Sequence, residues 1–307
     1  MQWSPEAVAT AGQLACLLEV CAEKPGNITP THDFGDTSFE DMIHSAVAIG
    51  VELARAGERS VGEGVLALVE ASRRAAPTNT NLGIALLFAP LARAALTPAP
   101  RGASLRQHLG FVLRGLDVDD ARRAYAAIRL ASPGGLDEHV EHDVRDEPEV
   151  TLGQAMAAAA ERDRIAAEYA SGFAATFEIG LPRLRRSLAA GLRPRDAVVE
   201  LFLELLAATP DTLIVRKRGT DVAAHVSAEA AAVLVAGGVR STDGRAAMAR
   251  FDASLRTADN SLNPGTTADI VASVLFVVLL DGAIGPWETV EISLFPFTGP
   301  DQRRQNR

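Results

Sequence analysis

The sequence predicts an all-α protein that forms a single domain over residues 1–307. Aromatic residues make up only 5% of the chain while alanine and leucine abound, a composition that favours closely packed helices over a β sandwich. Hydrophobic residues make up 48%, which is enough for a large core. No linker divides the chain and no repeat of fixed period is visible. We therefore expect a multi-helix bundle of about ten helices, with polar loops gathered around one nucleotide pocket.

The first helices have recognisable start and stop signals. Ser4 is a good N-cap with Pro5 at the first helical position, and this helix should end before Pro25. Ser38 and Asp41 form a near capping box at the start of the next helix. Apolar periodicity predicts further helices over residues 60–75, 77–96, 116–131, 151–177, 194–208 and 227–238, then a helix, a polar loop and a buried helix within 243–282. Only the tail, residues 285–307, has a strand-like pattern.

Composition also narrows the class of protein. The net charge of −9 argues against nucleic-acid binding, which needs a basic surface. The longest apolar run, residues 270–280, is too short to cross a bilayer, which takes about 20 residues, so no membrane partner is expected. Cys16 and Cys21 fit no zinc pattern and are expected to be reduced, and no signal peptide is expected from the first residues. A cytoplasmic protein is the simplest interpretation, and a homodimer is compatible with the sequence.

Six polar loops interrupt this helical pattern and share one composition. Each mixes glycine or proline with asparagine or charged residues, whereas simple bundles join helices by short loops. Taken singly, each is explained as a turn with its caps, but together at one end of the bundle they would form a pocket. The loops are KPGN (24–27), NTNLG (79–83), SPGGL (132–136), EHDVRDEP (141–148), DTLIVRKRG (211–219) and NPGTTAD (263–269).

Several of these segments, in this order, resemble the triphosphoribosyl-dephospho-CoA synthases. The resemblance covers roughly residues 10–285 and rests on LLEVCAEKPGN, SFEDMIHSA, NTNLG, DTLIVRKRG and NPGTTADIVA. It implies a transferase that uses ATP as ribosyl donor. The 2′-hydroxyl of dephospho-CoA would attack the anomeric carbon of the ATP ribose, adenine would leave, and the triphosphate would stay on the transferred sugar. Mg²⁺ is the cofactor that the resemblance implies.

Such a displacement passes through an oxocarbenium-like state, which nearby carboxylates stabilise. Glu19 lies in an otherwise apolar helix and should therefore have a partner, such as Lys24 or a loop, unless it faces water. His142 and Asp143 could supply a base, although a charged surface loop is an alternative. Asp41 is the acidic residue of the family's Asp-Met pair, and a helix-capping role competes with catalysis. We therefore predict as catalytic residues Glu19, Asp41, His142 and Asp143.

Cations and backbone N–H groups near glycine are expected to bind the triphosphate. The basic cluster of 216–218 stands out in an acidic chain, and a solvated charge run is its alternative. For the other candidates, capping of helix ends is the competing explanation. The predicted nucleotide-binding residues are Lys24, Gly26, Asn79, Asn81, Arg216, Arg218, Asn263, Gly265 and Thr266. Asp36 and Asp269 are the predicted Mg²⁺ ligands, since Mg²⁺ commonly uses one or two carboxylates together with substrate phosphates.

The sequence departs from the family at two places. Asn81 and Leu82 stand where many members have His-Lys, and the loop with His142 belongs to a less usual branch. These departures keep two alternatives open. One is a sister transferase with a different acceptor, such as an intermediate of a one-carbon carrier, and the other is a helical nucleotide-binding protein without catalysis.

Overall fold

The computed structural model describes residues 3–98, 102–132 and 140–282, and this part of the chain is helical without a strand. The strand-like tail at 285–307 lies outside the described residues, as does most of the SPGGL loop. The helices are α1 (Pro5–Val20), α2 (Phe39–Ala48), α3 (Gly50–Ala54), α4 (Val61–Ala75), α5 (Leu82–Leu96), α6 (Leu105–Arg114), α7 (Val118–Ala131), α8 (Leu152–Ala159), α9 (Arg164–Ser171), α10 (Leu181–Ala189), α11 (Pro194–Ala208), α12 (Thr212–Arg218), α13 (Thr220–Val235), α14 (Thr242–Leu255) and α15 (Gly265–Asp281).

The predicted caps form as the local sequence requires. The Ser4 hydroxyl accepts a hydrogen bond from the Ala7 N–H, and Pro5 occupies the first turn of α1. At the start of α2, the Ser38 hydroxyl accepts from the Asp41 N–H, and the Asp41 carboxylate accepts from the Ser38 N–H. This reciprocal capping box fixes where α2 begins and therefore where the preceding polar loop ends.

The apolar helix α15 lies at the centre of the fold. It packs against α1, α5 and α11, and nearly all its side chains from Ile270 to Leu280 are buried. The rings of Phe88 in α5 and Phe276 in α15 are stacked with their centroids 4.4 Å apart. Because α15 is held on several sides, its N-terminus is a fixed point on which a site can be built.

Three predictions about the helices were wrong. Residues 151–177 form two helices rather than one, because the Asp163 carboxylate accepts the N–H groups of Ile165 and Ala166 and starts α9 anew. A π-helical turn, Ala175–Gly180, then leads into α10. Residues 212–218 form a helix and not a loop, because Asp211 caps α12 through the Leu213 and Ile214 N–H groups. The helix expected over 227–238 already begins at Thr220.

By length and composition alone, residues 220–240 are apolar enough to cross a membrane. In the structure this stretch is α13 and the short turn after it. Ala223, Val226, Ala230 and Val233 are buried at helical spacing, and α13 packs on α11 and α14. A helix buried along one face against other helices is what the interior of a helical bundle requires.

Candidate active site

A large cavity of about 1020 Å³ opens among the polar loops. Its wall includes residues from the loop before α2, the turn before α5, the segment 140–144, the C-terminal half of α12 and the start of α15. The loops therefore gather at one site, as expected from their shared composition. The volume is at the upper end of the ~300–1,000 Å³ typical of ligand pockets, so the cavity can accommodate large ligands.

Carboxylates from three separate helices meet in one part of this wall. Glu19 lies in the last turns of α1, Asp163 caps α9, and Asp269 lies in the first turns of α15. Nearby Glu19, Asp211 and Asp163, together with burial, raise the pKa of Asp269 well above its ordinary value. Concentrated negative charge at a cavity wall is suited to a cation or to a transition state with positive charge.

Lys24 neutralises one member of this group from behind. Its Nζ lies 2.9 Å from Oε1 of Glu19 and also donates to the backbone carbonyls of Glu19 and Ala22. A lysine ammonium has three N–H donors, and these three bonds use all of them. Lys24 is buried and does not line the cavity, so the structure assigns it a positioning role on Glu19 in place of the predicted contact with nucleotide.

Asp269 lies directly against the start of α5. A methyl group added at Gly83 would overlap the Asp269 carboxylate. The observed position of the Asp269 side chain therefore requires glycine at residue 83. The N-cap residue of α5, Asn81, makes no capping bond through its side chain, and its amide instead donates to the Ser72 hydroxyl. The N–H groups of Gly83 and Ile84 are therefore left uncapped at the N-terminal end of α5, which lies at the cavity. An uncapped helix N-terminus favours binding of an anion.

Asp163 is a site residue that sequence reasoning missed. Its Oδ2 lies 2.6 Å from Nη1 of Arg216, while Oδ1 caps α9. The Nε of Arg216 is buried and has no hydrogen-bond partner among the described residues. A guanidinium held by one carboxylate, with a further N–H unpaired at a cavity, is arranged to bind an oxygen of a ligand. The missed signal was an aspartate inside an apparent helix, a residue type that favours caps.

Asp211 connects the two helices that carry these groups. Its Oδ2 accepts from the N–H and the hydroxyl of Thr267, at 2.7 and 2.8 Å, while its Oδ1 caps α12. Burial raises the pKa of the Asp211 carboxyl. The Thr267 N–H at the start of α15 is therefore used by the protein's own carboxylate, and a ligand at this helix end must use the remaining groups nearby.

Asn263 and Gly265 line the cavity as predicted, just before α15. The Asn263 Oδ1 is buried without a hydrogen-bond partner in the described part of the chain. A buried unpaired amide oxygen is costly, and a donor group on a ligand would satisfy it. Thr266 does not line the cavity, because its hydroxyl is buried and accepts from Thr212.

Several cations of the wall have no carboxylate within ion-pair distance among the described residues. The guanidinium of Arg73 donates to the Pro77 carbonyl, Lys217 donates to the Asn260 carbonyl, and Arg162 donates to the carbonyls of Ala158 and Glu141. Their charges remain available to phosphate oxygens. The basic cluster of 216–218 contains one of them, Lys217, whereas Arg73 and Arg162 carry no recognisable sequence signal.

Other predicted residues lie outside the cavity wall and have protein partners. The N–H of Gly26, which has φ of +74°, donates to Asp252, and Arg218 lies 4.0 Å from Asp259. Asp41 is occupied by the capping box of α2, which also lowers the pKa of its carboxyl. For these residues the interaction with the protein explains the side chain or the backbone conformation.

The remaining predicted residues line the cavity at its outer parts. The amide oxygen of Asn79 accepts a hydrogen bond from the Leu82 N–H, and the Asp36 carboxylate accepts one from the Thr37 hydroxyl. Asp143 binds Arg145 through both carboxylate oxygens, at 2.8 and 2.7 Å, and this pair lowers its pKa strongly. His142 has a positive φ of 55°, and its carbonyl accepts from the Tyr125 hydroxyl. The Asp143 carboxylate is thereby committed to Arg145, whereas His142 lines the cavity with its Nε2 3.7 Å from Oε1 of Glu141.

A Mg²⁺ site made by protein side chains alone is absent from the described residues, where no three His, Cys, Asp or Glu side chains are grouped to hold a metal. Mg²⁺ bound to nucleotide phosphates needs only one or two carboxylates from the protein. The Asp269 carboxylate lines the cavity and has no hydrogen-bond donor among the described groups, so it fits that requirement.

The fold and the cavity define the class: an all-α protein with one polar cavity suited to a phosphorylated ligand in the described structure. A family model described as ATP:dephospho-CoA triphosphoribosyl transferase matches residues 5–287. The chain belongs to this transferase family, and the resemblance inferred from the loop motifs is confirmed.

Named relatives agree with this assignment. A 2-(5''-triphosphoribosyl)-3'-dephosphocoenzyme-A synthase of Pseudomonas syringae pv. tomato is 35% identical over 115 residues, which are 38% of this chain and 39% of the relative. The corresponding protein of Azotobacter vinelandii is 35% identical over 118 residues, 38% of this chain and 40% of the relative. These matches thus span about two fifths of the length of the curated relatives. A solved structure from Archaeoglobus fulgidus, described as a triphosphoribosyl-dephospho-CoA synthase, has 29% identity and a TM-score of 0.61, covering 78% of this chain and 98% of the other.

Proposed function

We propose that this protein transfers the 5-triphosphoribosyl group of ATP to the 2′-hydroxyl of dephospho-CoA and releases adenine. The observation that carries the proposal is the meeting of Glu19, Asp163 and Asp269 with Arg216 at one cavity wall. Carboxylates and a guanidinium are the two kinds of group that a ribosyl cation with a triphosphate tail requires. The relatives named above carry this activity in their names.

Each side chain has a proposed role in one displacement at the anomeric carbon. The bond from that carbon to adenine breaks, and a bond to the acceptor oxygen forms. Glu19 and Asp163 stabilise the positive charge that develops on the ribose. Arg216, Lys217 and the unpaired N–H groups of α5 bind the triphosphate.

The hydroxyl proton of the acceptor passes to a base, for which we propose His142. His142 lines the cavity, and histidine is the side chain that most often serves as a general base. The departing adenine takes up a proton from solvent or from a cavity side chain. Asp269 and Asp36 are the proposed protein ligands of Mg²⁺, which when bound would neutralise charge on the triphosphate. Because both substrates are intracellular nucleotides, the proposal implies a cytoplasmic enzyme.

The proposal is tested by incubating the protein with ATP, Mg²⁺ and dephospho-CoA and measuring free adenine by chromatography. Adenine that forms only in the presence of dephospho-CoA supports it.

Arg216→Met removes a charge-assisted bond worth about 1.5–3 kcal/mol, so kcat/KM for ATP should fall by about 10- to 100-fold. Arg250→Met serves as the control, since Arg250 is exposed on α14 away from the cavity. Binding of ATP without adenine release on any acceptor would favour the non-catalytic alternative.

One observation favours a second candidate, a sister transferase with another acceptor. Leu82 lines the cavity where many family members have lysine, and Asn81 is turned inward to Ser72. An apolar side chain there removes a phosphate contact that those members can make. Adenine release that needs an acceptor other than dephospho-CoA, found by testing pterin and nucleotide acceptors in turn, would establish this candidate.

A further inference from the structure

The cavity is chemically divided, and one part of it is lined mainly by apolar side chains of two helices. Side chains of α7 and α8 line it at helical spacing, so that each helix presents one face to the cavity. These are Tyr125, Ile128 and Ala131 of α7 and Leu152, Ala155, Met156 and Ala159 of α8. The carboxylates and Arg216 belong to other helices. A triphosphate would be poorly solvated between these apolar faces, whereas a flat base or an uncharged arm would bury surface there favourably.

The rim of this apolar part carries a cation suited to a diphosphate. Arg162 follows α8 directly, and its guanidinium donates only to backbone carbonyls among the described residues. Asp143, an acidic residue that also lines the cavity, is already bound by Arg145. The charge of Arg162 is therefore free to meet phosphate oxygens at the mouth of an otherwise apolar pocket.

We infer that the α7–α8 face is the binding site of the acceptor and takes an adenine nucleotide diphosphate with a long uncharged arm. This inference rests on the proposed function. The base and the arm pack between Ile128, Met156 and Ala159, while Arg162 binds the diphosphate. The acceptor hydroxyl then points toward the carboxylate wall, where the donor ribose lies. Adenine could also come from the donor ATP, so the test has to separate the two sources.

The test is calorimetric titration of dephospho-CoA and, separately, of ATP with Mg²⁺ into the whole chain and its variants. Ala159→Phe fills the α7–α8 face and should weaken dephospho-CoA binding by tenfold or more, with ATP affinity changed by less than twofold. Ala158→Phe is the matched control, because Ala158 is its neighbour on α8 but is exposed and does not line the cavity. Arg162→Met should weaken dephospho-CoA binding in the same selective way.

A second variant covers the case in which Ala159→Phe does not fold. Ile128→Gln keeps the side-chain volume on α7 but makes this face polar, and it should show the same selectivity. Weakened ATP binding with normal dephospho-CoA binding would overturn the inference and place the leaving adenine there. Unchanged affinities, or equal losses for both ligands, in the folded variants would also overturn it.

Failure of the proposed function gives a different result. If the wild-type protein binds dephospho-CoA but releases no adenine, the proposed function fails, and the variants still decide the acceptor site. If the wild-type protein does not bind dephospho-CoA at all, the proposed function and the inferred acceptor site both fail.

Discussion

The ammonium of Lys24 lies 2.9 Å from Oε1 of Glu19, and both side chains are almost completely buried. The pair lies where α1 ends, with Lys24 on the inner side and Glu19 at the cavity. A buried carboxylate stays ionised only with such a partner. The lysine of the KPGN loop therefore holds the Glu19 carboxylate in place at the cavity wall.

Replacing Lys24 by methionine should destabilise the protein and impair the site. Loss of one partner of a buried ion pair leaves the other unpaired, which typically costs about 3–5 kcal/mol. Urea unfolding should show this loss. Glu19→Gln combined with Lys24→Met should restore part of the stability, because no buried charge then remains. If Lys24→Met alone is as stable as the wild type, Lys24 is not needed to hold Glu19.

Asp211→Ala should loosen the connection between α12 and α15. Four donors from the two helices lose their common acceptor, and bonds to a charged group contribute about 1.5–3 kcal/mol. We expect a lower midpoint of thermal unfolding and a higher KM for ATP, because Arg216 and Asn263 lie on these helices or next to them. Asp281→Asn breaks an exposed ion pair with Arg185 and is the control, with an expected change of about 1 kcal/mol or less. Equal effects of both changes would contradict the assigned role.

Gly83→Ala should lower activity without unfolding the protein. Alanine in a helix is favoured over glycine by up to about 1 kcal/mol, but the new methyl group would displace the Asp269 carboxylate. The expected result is a fall in kcat for adenine release of about tenfold or more, a loss of about 1.4 kcal/mol or more of transition-state stabilisation. Gly110→Ala in α6, whose methyl group would meet only the end of the Arg114 side chain, should retain activity. Normal activity of Gly83→Ala would show that the position of Asp269 is not critical.

The Asp143–Arg145 pair should make stability depend on acid pH. Because the pKa of Asp143 is lower in the folded protein than its ordinary 3.8, its contribution is fully present above that value. It is lost as the pH falls below about 4 toward the folded-state pKa. Asp143→Asn should therefore be less stable than the wild type at pH 7, and the difference should shrink between pH 4 and pH 2.5 in thermal unfolding. A difference that stays constant with pH would exclude this pair as its source.

Much of the fold could be predicted from local sequence. The serine caps before α1, α2 and α4 fix where those helices begin, because the capping side chain and its N–H partner are at most three residues apart. The predicted bounds of 194–208 agree with α11. The break at Asp163 had a local signal that was missed, whereas the ion pair of this carboxylate with the distant Arg216 could not be predicted.

The site was predicted in outline only. Glu19, Asn263, Arg216 and Asp269 do line one cavity, but Lys24 and Gly26 are used by the protein itself. Arg73 and Arg162 were not predicted, because nothing in the neighbouring sequence distinguishes them from surface charges, and the role of Asp163 as a cap was missed. Their surroundings come from elements far away in the chain.

The sequence by itself therefore determined the helical class, most helix starts, the family and the set of loops that carry chemistry. These depend on interactions within a few residues or on motifs read in order. Only the tertiary structure decided which charges are free and which are paired. That decision depends on contacts such as Asp211 with Thr267 and Asp163 with Arg216, which join residues more than fifty positions apart. The free energy of a buried charge is set by those contacts and by desolvation, and neither is encoded at any one position.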